Sequence, residues 1–305
     1  MNAPVESPPR VEPELSVVVA SVNGMPYLRA CLEALEAHCP GVEVIVADWT
    51  DEPTRQEVED RFPSVTLLSF DEPMTVPELR AAGIFAARAP YVAVIEDHCN
   101  VTAGWAGRLV AAHRAGHPVV GGPVRNVVTD RARDWAAFLC EYSTFLEPGA
   151  TGETDDLPGM NVSYDRRALA EIDDLLREGR WEFWLHARLR ERGFELWADE
   201  AAVIDHAKDF GFREFTSQRY HYSRSYAGMR NPDLGSRRVA FALGAPLLAP
   251  LMTYRVARNV LRRGGRHVGS LARATPLILF YSTVWAGGEA IGYAFGGGRS
   301  LLRVR

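Results

Sequence analysis

Two carboxylates and an imidazole stand next to one another at Glu96, Asp97 and His98. They directly follow residues 91–95, a short and continuously apolar run that is typical of a strand buried on both faces of a parallel sheet. In open α/β sheets, ligands bind beyond the carboxyl ends of the strands. Side chains of these types can hold a divalent cation, which would neutralise a diphosphate. The alternative is a solvated, acidic strand end without a ligand.

A second acidic turn follows an earlier apolar run. Residues 42–47 are predicted to form a buried strand, which ends in Asp48 and Asp51. Asp51 also has the position of an N-cap for the helix that follows. Because parallel strands bring their carboxyl ends to one edge of a sheet, we expect this turn to lie near Glu96 and Asp97.

The elements that must position these residues alternate between strands and helices. Strands are predicted at 16–20, 42–47, 65–70 and 91–95, with helices at 28–35, 55–62 and 79–88 between them. This order implies βαβ units and an α/β fold with a mainly parallel sheet. Neither G-x-G-x-x-G after the first strand nor G-x-x-x-x-G-K-[ST] is found, so side chains and a metal would have to hold a nucleotide.

Charge is distributed unevenly along the chain of 305 residues, which has a net charge of −5. Residues 229–305 hold 12 Arg and only two acids, a net charge of +10. Because these basic residues are interleaved with long apolar runs, we expect this part to meet a membrane surface and not a nucleic acid. The proline-rich residues 1–13 are predicted to be a disordered leader, and the four cysteines are predicted to stay reduced.

Six segments, in this order, resemble the family 2 glycosyltransferases, which have the GT-A fold. They are residues 16–23 ending in Asn23, the acidic turn 48–51, Arg80-Ala-Ala-Gly83, Glu96-Asp-His98, Gly159-Met-Asn-Val-Ser-Tyr164, and Glu182-Phe183 followed by Arg188-Leu189 and Gly193-Phe194. The resemblance covers residues 15–229. It implies a GT-A domain over 14–228, which is Rossmann-like with flanking helices, followed by membrane-associated helices over 229–305.

The resemblance also implies an activity and a set of site residues. The activity is hexosyl transfer from a UDP- or GDP-sugar, and Glu182 takes the position of the base that deprotonates the acceptor hydroxyl in an inverting reaction. Trp181, Phe183 and Trp184 would surround that carboxylate with apolar groups. The donor side is implied to contain Ala20, Val22, Asn23, Asp48, Asp51, Arg80, Glu96 and Asp97. The acceptor side is implied to contain Gly159, Asn161, Trp181 and Arg224.

The expected metal ligands, Glu96, Asp97, His98 and His206, depart from the family's Asp-x-Asp pattern. If Glu96 and His98 take the two ligand positions, the imidazole favours Mn²⁺ over Mg²⁺. Alternatively, Asp97 is the ligand and His98 donates to a phosphate. One residue of register along the strand end decides between the two. His206 follows another apolar run and either returns to the metal or diphosphate or forms a structural hydrogen bond.

Two other functions stay open at this point. If His206 binds the metal and Glu182 only positions the acceptor, the enzyme would be a retaining glycosyltransferase. Phe183 stands where the family has a second acid. Together with the altered metal motif, this leaves a non-catalytic, membrane-anchored scaffold as the other alternative.

Two apolar stretches, 239–254 and 276–298, lie on either side of an Arg-rich loop. The first is shorter than the about 20 residues that cross a bilayer, and it contains two prolines. Since basic loops favour the cytoplasmic side, we expect it to re-enter or lie in the interface. The second would span or re-enter, or both would be core helices of a soluble oligomer. We therefore expect a peripheral, monotopic or singly spanning protein at the cytoplasmic membrane face, with a lipid-linked or membrane-associated acceptor in cell-envelope glycan or glycolipid synthesis.

Overall fold

The computed structural model describes residues 12–304, so the predicted leader at 1–13 lies almost entirely outside the described residues. The strands are β1 (Leu15–Ser21), β2 (Glu43–Asp48), β3 (Thr66–Ser69), β4 (Tyr91–Glu96), β5 (Cys99–Val101), β6 (Val119–Gly121), β7 (Val124–Asn126), β8 (Gly152–Glu153), β9 (Val162–Asp165), β10 (Leu196–Ala198) and β11 (Ile204–His206). Eight of them form the main sheet in the order β3-β2-β1-β4-β9-β6-β10-β8, and a small sheet has the order β5-β11-β7.

The first four strands are parallel, as the alternation of strands and helices predicts. Strand β1 lies between β2 and β4, with Ser21 opposite Asp48 and Ala20 opposite Glu96. All of β1 is buried, which explains the apolar run at its centre, residues 17–20. The two acidic turns therefore lie on either side of the C-terminal end of β1, at the same edge of the sheet.

Helices cover both faces of this sheet. They are α1 (Tyr27–His38), α2 (Glu52–Arg61), α3 (Val76–Ala86), α4 (Trp105–Arg114), α5 (Ala132–Tyr142), α6 (Arg166–Glu171), α7 (Asp173–Arg177) and α8 (Glu182–Glu191). Alternate residues of β1 enter two different cores: Val17 and Val19 pack in the core that contains Leu28 of α1, and Val18 packs with Ile84 of α3. The α/β prediction is confirmed.

The small sheet brings a distant segment to the end of β4. Strand β11 pairs with β5, and His206 lies opposite Cys99. The strand also pairs with β7 on its other side. His206 is thereby placed beside His98, the residue that precedes Cys99.

The C-terminal part of residues 12–304 contains four α-helices, α9 (Phe212–Leu234), α10 (Arg238–Gly244), α11 (Leu248–Arg262) and α12 (Val268–Phe295). The predicted domain boundary at 228 falls within α9. Ile278 and Tyr281 of α12 belong to the same core as Val17 of β1. The contact between α9 and α12 is close, since a Cβ added at Gly288 would lie 1.9 Å from Ser223 Oγ. The C-terminal helices thus extend the core of the α/β domain.

The first predicted apolar stretch is divided between α10, a short 3₁₀ turn at Ala245–Leu247, and α11. Within residues 12–304, one helical stretch, Phe212–Arg262, is long and apolar enough to cross a membrane by length and composition. Only 17% of its apolar window is buried. The second predicted stretch lies mainly in α12, which is packed among the other helices.

Candidate active site

Asp97 is completely buried just after β4, and its carboxylate is turned towards the loop that follows β1. Oδ2 accepts hydrogen bonds from the backbone N–H groups of Val22 at 2.9 Å and Asn23 at 2.6 Å, and Oδ1 accepts one from Asn23 Nδ2 at 2.7 Å. Burial by itself raises the pKa of Asp97. The bonds and charge from His98 and the bonds from Asn23 outweigh it and leave the pKa below its usual value. Asp97 therefore shapes the loop at the sheet edge.

Glu96 and Glu182 are brought together by one guanidinium group, that of Arg80 in α3. Arg80 Nη1 donates to Glu182 Oε2 at 2.8 Å, and Nη2 forms a short ion pair with Glu96. The Arg80 side chain is only 10% exposed, and its Cζ lies 5.6 Å from the ring centroid of Trp181. The predicted base is thus paired with a buried cation as well as flanked by aromatic rings. It faces the same cavity as the carboxylate at the end of β4.

This cavity has a volume of about 110 Å³ and is enclosed by the sheet edge, α3, α5, α8 and α9. Most of its lining residues were not among the predicted site residues, and they include Gln218, Tyr222 and Val304 from the C-terminal part of the chain. Val304 is 7% exposed and packs in the same cluster as Val22 and Trp181, so the C-terminal segment returns to the site. No local pattern in the sequence signals this, because the contact depends on how α12 is packed.

Gly159 lies against the two charged side chains. A Cβ added at this position would lie 2.3 Å from Glu182 Cδ and 2.7 Å from Arg80 Nη1. Any larger residue must therefore displace Glu182 or Arg80. The glycine gives these side chains the room to meet.

We expect Gly159→Ala to lower kcat by about 10²-fold, since small displacements of a reacting group have effects of this size. The Kd for the expected nucleoside diphosphate should stay within about twofold, because the separate cavity at the ends of β1 and β2 does not include Gly159. Steady-state kinetics and calorimetric titration measure the two quantities. Gly107→Ala is a control, since an added Cβ there meets nothing within 4 Å. Unchanged kcat in Gly159→Ala would contradict the placement of Glu182.

His98 and His206 lie together behind Glu96. Their ring centroids are 4.8 Å apart, and His98 Nε2 lies 3.3 Å from Glu96 Oε2. Among residues 12–304, neither His98 Nε2 nor either ring nitrogen of His206 has a hydrogen-bond partner. Burial, together with the neighbouring His98 and Lys208, lowers the pKa of His206 well below its usual value, so its imidazole is neutral.

These orphaned nitrogens and the Glu96 carboxylate have the donor chemistry that suits a divalent transition metal. Within residues 12–304, no group of three or more His, Cys, Asp and Glu side chains is already arranged to hold an ion. In this structure, Arg80 is the cation that neutralises Glu96. The residues therefore fit a metal whose binding would draw Glu96 and the two imidazoles together.

The other acidic turn borders a second cavity, of about 460 Å³, at the ends of β1 and β2. Its lining includes Val22, Asn23, Trp49 and Asp51. Asp51 also caps α2, accepting from Thr54 N at 3.0 Å, so its two predicted roles are compatible. The cavity is open beside the loop that Asp97 holds.

Asp48 does not line this cavity directly. Its carboxylate is fully buried and accepts hydrogen bonds from Thr50 N at 3.1 Å and Arg55 Nε at 3.3 Å. It thereby braces the turn that carries Trp49 and Asp51.

Lys208 is a charged site residue that the predictions did not include. Its side chain is 2% exposed, and Nζ donates to Asn23 Oδ1 at 2.7 Å and lies 3.4 Å from Glu214. Burial lowers its pKa, and nearby carboxylates oppose that shift. The sequence does hold a signal: Lys208 is the only lysine in a chain that otherwise uses arginine as its permanent cation. It also follows His206 by two residues.

The remaining acceptor-side residues are placed differently from one another. Trp181 lines the cavity with Glu182. Asn161 is fully buried. Its Oδ1 accepts a hydrogen bond from Trp105 Nε1 at 2.8 Å, and its Nδ2 donates one to the carbonyl of Ala202 at 2.8 Å. Arg224 Nε donates to the carbonyl of Gly296 at 3.2 Å, in the contact between α9 and the segment after α12. Asn161 and Arg224 thus make their described contacts within the packed structure.

Several solved structures share this architecture. The mannosyltransferase PcManGT from Pyrobaculum calidifontis, in complex with GDP-Man and Mn²⁺, aligns with a TM-score of 0.56 at 15% identity and covers 93% of this chain and 88% of its own. GalNAc-T7 with UDP, GalNAc and Mn²⁺ aligns with a TM-score of 0.51 at 12% identity, covering 70% of this chain and 50% of its own. S. aureus TarS 1-349 aligns with a TM-score of 0.50 at 14% identity, covering 93% of this chain and 92% of its own. At these identities the likeness shows the fold alone, and it is the GT-A fold.

A search of curated proteins finds no match. The model of glycosyl transferase family 2, however, matches residues 16–172, slightly more than half of the chain. The fold and the match together define a GT-A glycosyltransferase. The chain belongs to glycosyl transferase family 2, and the resemblance found in the sequence is confirmed.

Proposed function

We propose that this glycosyltransferase is inverting and metal-dependent, and that it transfers a hexose from a nucleoside-diphosphate sugar to a hydroxyl of a lipid-linked or membrane-associated acceptor. The observation that carries the proposal is the pair of carboxylates joined by Arg80. Glu96 lies at the strand end where a donor diphosphate would bind, and Glu182 faces the same cavity. A base is therefore within reach of a hydroxyl that approaches the anomeric carbon.

The cavity beside Trp49 and Asp51 supports nucleoside binding. An aromatic ring can stack on a base, and a carboxylate can accept from ribose or base donors. Val22 and Asn23 form its inner wall, with Ala20 buried behind them in the same cluster as Val22. We assign a UDP or GDP moiety to this cavity, since the similar structures described above contain GDP-Man or UDP.

Glu96, His98 and His206 are the residues that we assign to the metal. Two imidazoles favour Mn²⁺ over Mg²⁺. The bound ion would supply positive charge to the departing diphosphate. Asp97 then serves to hold the loop at Val22 and Asn23, because both of its carboxylate oxygens already accept hydrogen bonds there.

In the proposed reaction, Glu182 accepts the proton of the acceptor hydroxyl while the hydroxyl oxygen bonds to the anomeric carbon. The bond between that carbon and the diphosphate breaks on the opposite face, which inverts the configuration. Arg80 holds Glu182 towards the cavity, and the rings of Trp181 and Tyr222 enclose the site. Proton NMR of the product would show the inverted anomer. The retained anomer would instead favour a retaining enzyme that uses His206.

A surface of the C-terminal helices supports membrane association. Leu243 is 78% exposed, Leu247 is 74% exposed and Tyr254 is 63% exposed, all on α10, α11 and the turn between them. Arg255 and Arg258 are exposed on α11 as well. Apolar side chains beside arginines are typical of a helix that lies in the headgroup region. We assign this face to the cytoplasmic surface of the cell membrane, consistent with a role in cell-envelope glycan or glycolipid synthesis.

Replacing the only lysine should weaken donor binding. We expect Lys208→Met to raise the Kd for the nucleoside diphosphate about 10-fold or more, since losing a charge-assisted hydrogen bond costs about 1.5–3 kcal/mol. The reason is that Lys208 Nζ bonds Asn23, which lines the nucleotide cavity, and sits near the strand end.

Isothermal titration with UDP and GDP in the presence of Mn²⁺ measures the effect. Arg114→Met is the matched control, because it removes one positive charge from an exposed side chain that pairs with Glu14. Equal nucleotide affinities in the two variants would show that Lys208 contributes nothing to nucleotide binding.

A further inference from the structure

A cavity of about 540 Å³ lies between α9, α10, α11 and α12, away from the nucleotide cavity. Its volume is in the range of small-molecule sites. Apolar and aromatic side chains make up most of its wall, among them Phe241, Leu248, Met252 and Trp285. The reaction proposed above assigns it no role.

Two guanidinium groups stand among these apolar and aromatic side chains. The Cζ of Arg230 lies 5.3 Å from the ring centroid of Phe241 and 5.4 Å from that of Tyr226, and Nη1 donates to Tyr293 Oη at 2.7 Å. Arg255 is exposed at the rim. Arg230 acts electrostatically on the Glu289 carboxylate in the same wall, whereas Arg255 forms no ion pair with a carboxylate among residues 12–304. Cations that outnumber the carboxylates around them, set among aromatic rings, favour an anionic ligand.

One carboxylate, Glu289, also lines the cavity. It accepts a hydrogen bond from Trp285 Nε1 at 2.6 Å. The lining therefore has two positive charges and one negative charge. Its net charge complements an anion.

Aromatic side chains lie between this C-terminal cavity, called the groove below, and the catalytic cavity that contains Glu96 and Glu182. Trp285 lines the groove, and its ring centroid lies 5.4 Å from that of Tyr222. Tyr222 lines the catalytic cavity together with Trp181, whose ring is 4.7 Å away. Tyr226 likewise lines the C-terminal cavity and lies 5.2 Å from Phe183, the residue after Glu182. The groove and the catalytic cavity thus lie on the two sides of one layer of aromatic side chains.

The outer surface gives a hydrocarbon chain a route into the groove. Leu243, Leu247 and Leu251 are exposed on α10, α11 and the turn between them, next to Gly244 and Leu248 of the lining. The exposed apolar face that we assign to the membrane is therefore continuous with the groove.

We propose that this groove binds a phosphate-linked lipid. The hydrocarbon chain lies along Phe241, Leu248 and Met252, and the phosphate is held by Arg230 and Arg255. This inference rests on the proposed function and specifies the acceptor: a lipid whose phosphate joins the chain to a head group that carries the accepting hydroxyl, directed past Tyr222 to Glu182.

The test uses the full-length protein and dodecyl phosphate as the probe, with binding followed by isothermal titration. Arg255→Gln should weaken dodecyl phosphate binding about 10-fold, as expected for a lost charge-assisted hydrogen bond. Arg258→Gln is its control, because Arg258 is exposed on the same helix outside the lining. Gly244→Phe should abolish binding by filling the groove. An added Cβ meets nothing within 4 Å there or at the control position, Gly269→Phe.

Several outcomes would overturn the inference. Dodecyl maltoside binding as tightly as dodecyl phosphate would indicate an ordinary detergent site. Inorganic phosphate binding equally well would indicate a site for the free anion. Equal affinities in Gly244→Phe and Gly269→Phe would place the lipid elsewhere. A dimer that Gly244→Phe dissociates in light scattering would show that a second copy covers the groove.

Donor hydrolysis separates this inference from the proposed function. The rate at which the wild-type enzyme transfers sugar from UDP- and GDP-sugars to water should be unchanged in Gly244→Phe, since water needs no groove. Dodecyl phosphate binding without any donor hydrolysis by the wild type would support the lipid site and contradict the glycosyltransfer mechanism. Donor hydrolysis without dodecyl phosphate binding would support the glycosyltransfer mechanism and contradict the lipid site.

Discussion

Glu182→Gln should lower kcat by about 10²–10⁴-fold, the usual contribution of a positioned general base. The amide cannot accept the proton of the attacking hydroxyl, although its shape matches that of the carboxylate. Donor affinity should change little, because Arg80 keeps its ion pair with Glu96 and the nucleotide cavity does not include Glu182. Initial rates at saturating donor and acceptor, together with nucleotide titration, measure the two effects separately.

The control is Glu191→Gln, which makes the same change at an exposed position near the end of the same helix, α8. It should retain full turnover. A Glu182→Gln enzyme with near-normal kcat would remove Glu182 as the base. In Glu182→Ala, which leaves space for a small anion, restoration of turnover by added formate would trace the loss to the missing carboxylate and not to altered packing.

His206→Ala should produce the second large effect, on the metal. Loss of an outer-shell partner of a metal ligand lowers metal affinity by about 10–100-fold. We expect the Mn²⁺ affinity to fall by at least this much. The reason is that His206 has two buried ring nitrogens with no hydrogen-bond partner among residues 12–304, and its ring lies 4.8 Å from that of His98. Electron paramagnetic resonance of free Mn²⁺, titrated in the presence of UDP or GDP, measures the affinity. Turnover at limiting Mn²⁺ should fall in parallel.

His113→Ala provides a matched loss of a buried imidazole. His113 Nδ1 bonds the carbonyl of His117 at 2.8 Å, and Nε2 bonds Ser163 Oγ at 2.8 Å, so its nitrogens are already engaged. It should lower thermal stability without changing Mn²⁺ affinity. If His206→Ala behaved in the same way, His206 would be structural.

The parallel sheet and its acidic edge follow from short-range patterns in the sequence. The apolar runs that became β1, β2 and β4 predict buried strands, and the helices between them enforce a parallel arrangement. Once the strands are parallel, Asp48 and Glu96 must come to the same edge. The six ordered segments then indicate the family, which the family model confirms.

The sequence left open which strand-end residues face the cavity. Successive side chains in an extended segment point in opposite directions, so one residue of register exchanges Asp97 with Glu96 and His98. The structure turns Asp97 inward to the loop at Val22 and directs Glu96 towards Arg80. That choice depends on which side is filled by the loop after β1, a contact between residues 75 positions apart.

The amino-acid sequence by itself determined the class of fold, the edge of the sheet at which the acidic turns meet, and the carboxylates available there, because these depend on local hydrophobic pattern and strand direction. Only the tertiary structure decided how the charges are paired. Arg80 and Glu182 are separated by 102 positions, and Lys208 reaches Asn23 across 185. Such pairs form when packed helices and strands bring buried charges together, since a buried ion without a partner is unfavourable, and no local pattern encodes which partner that will be.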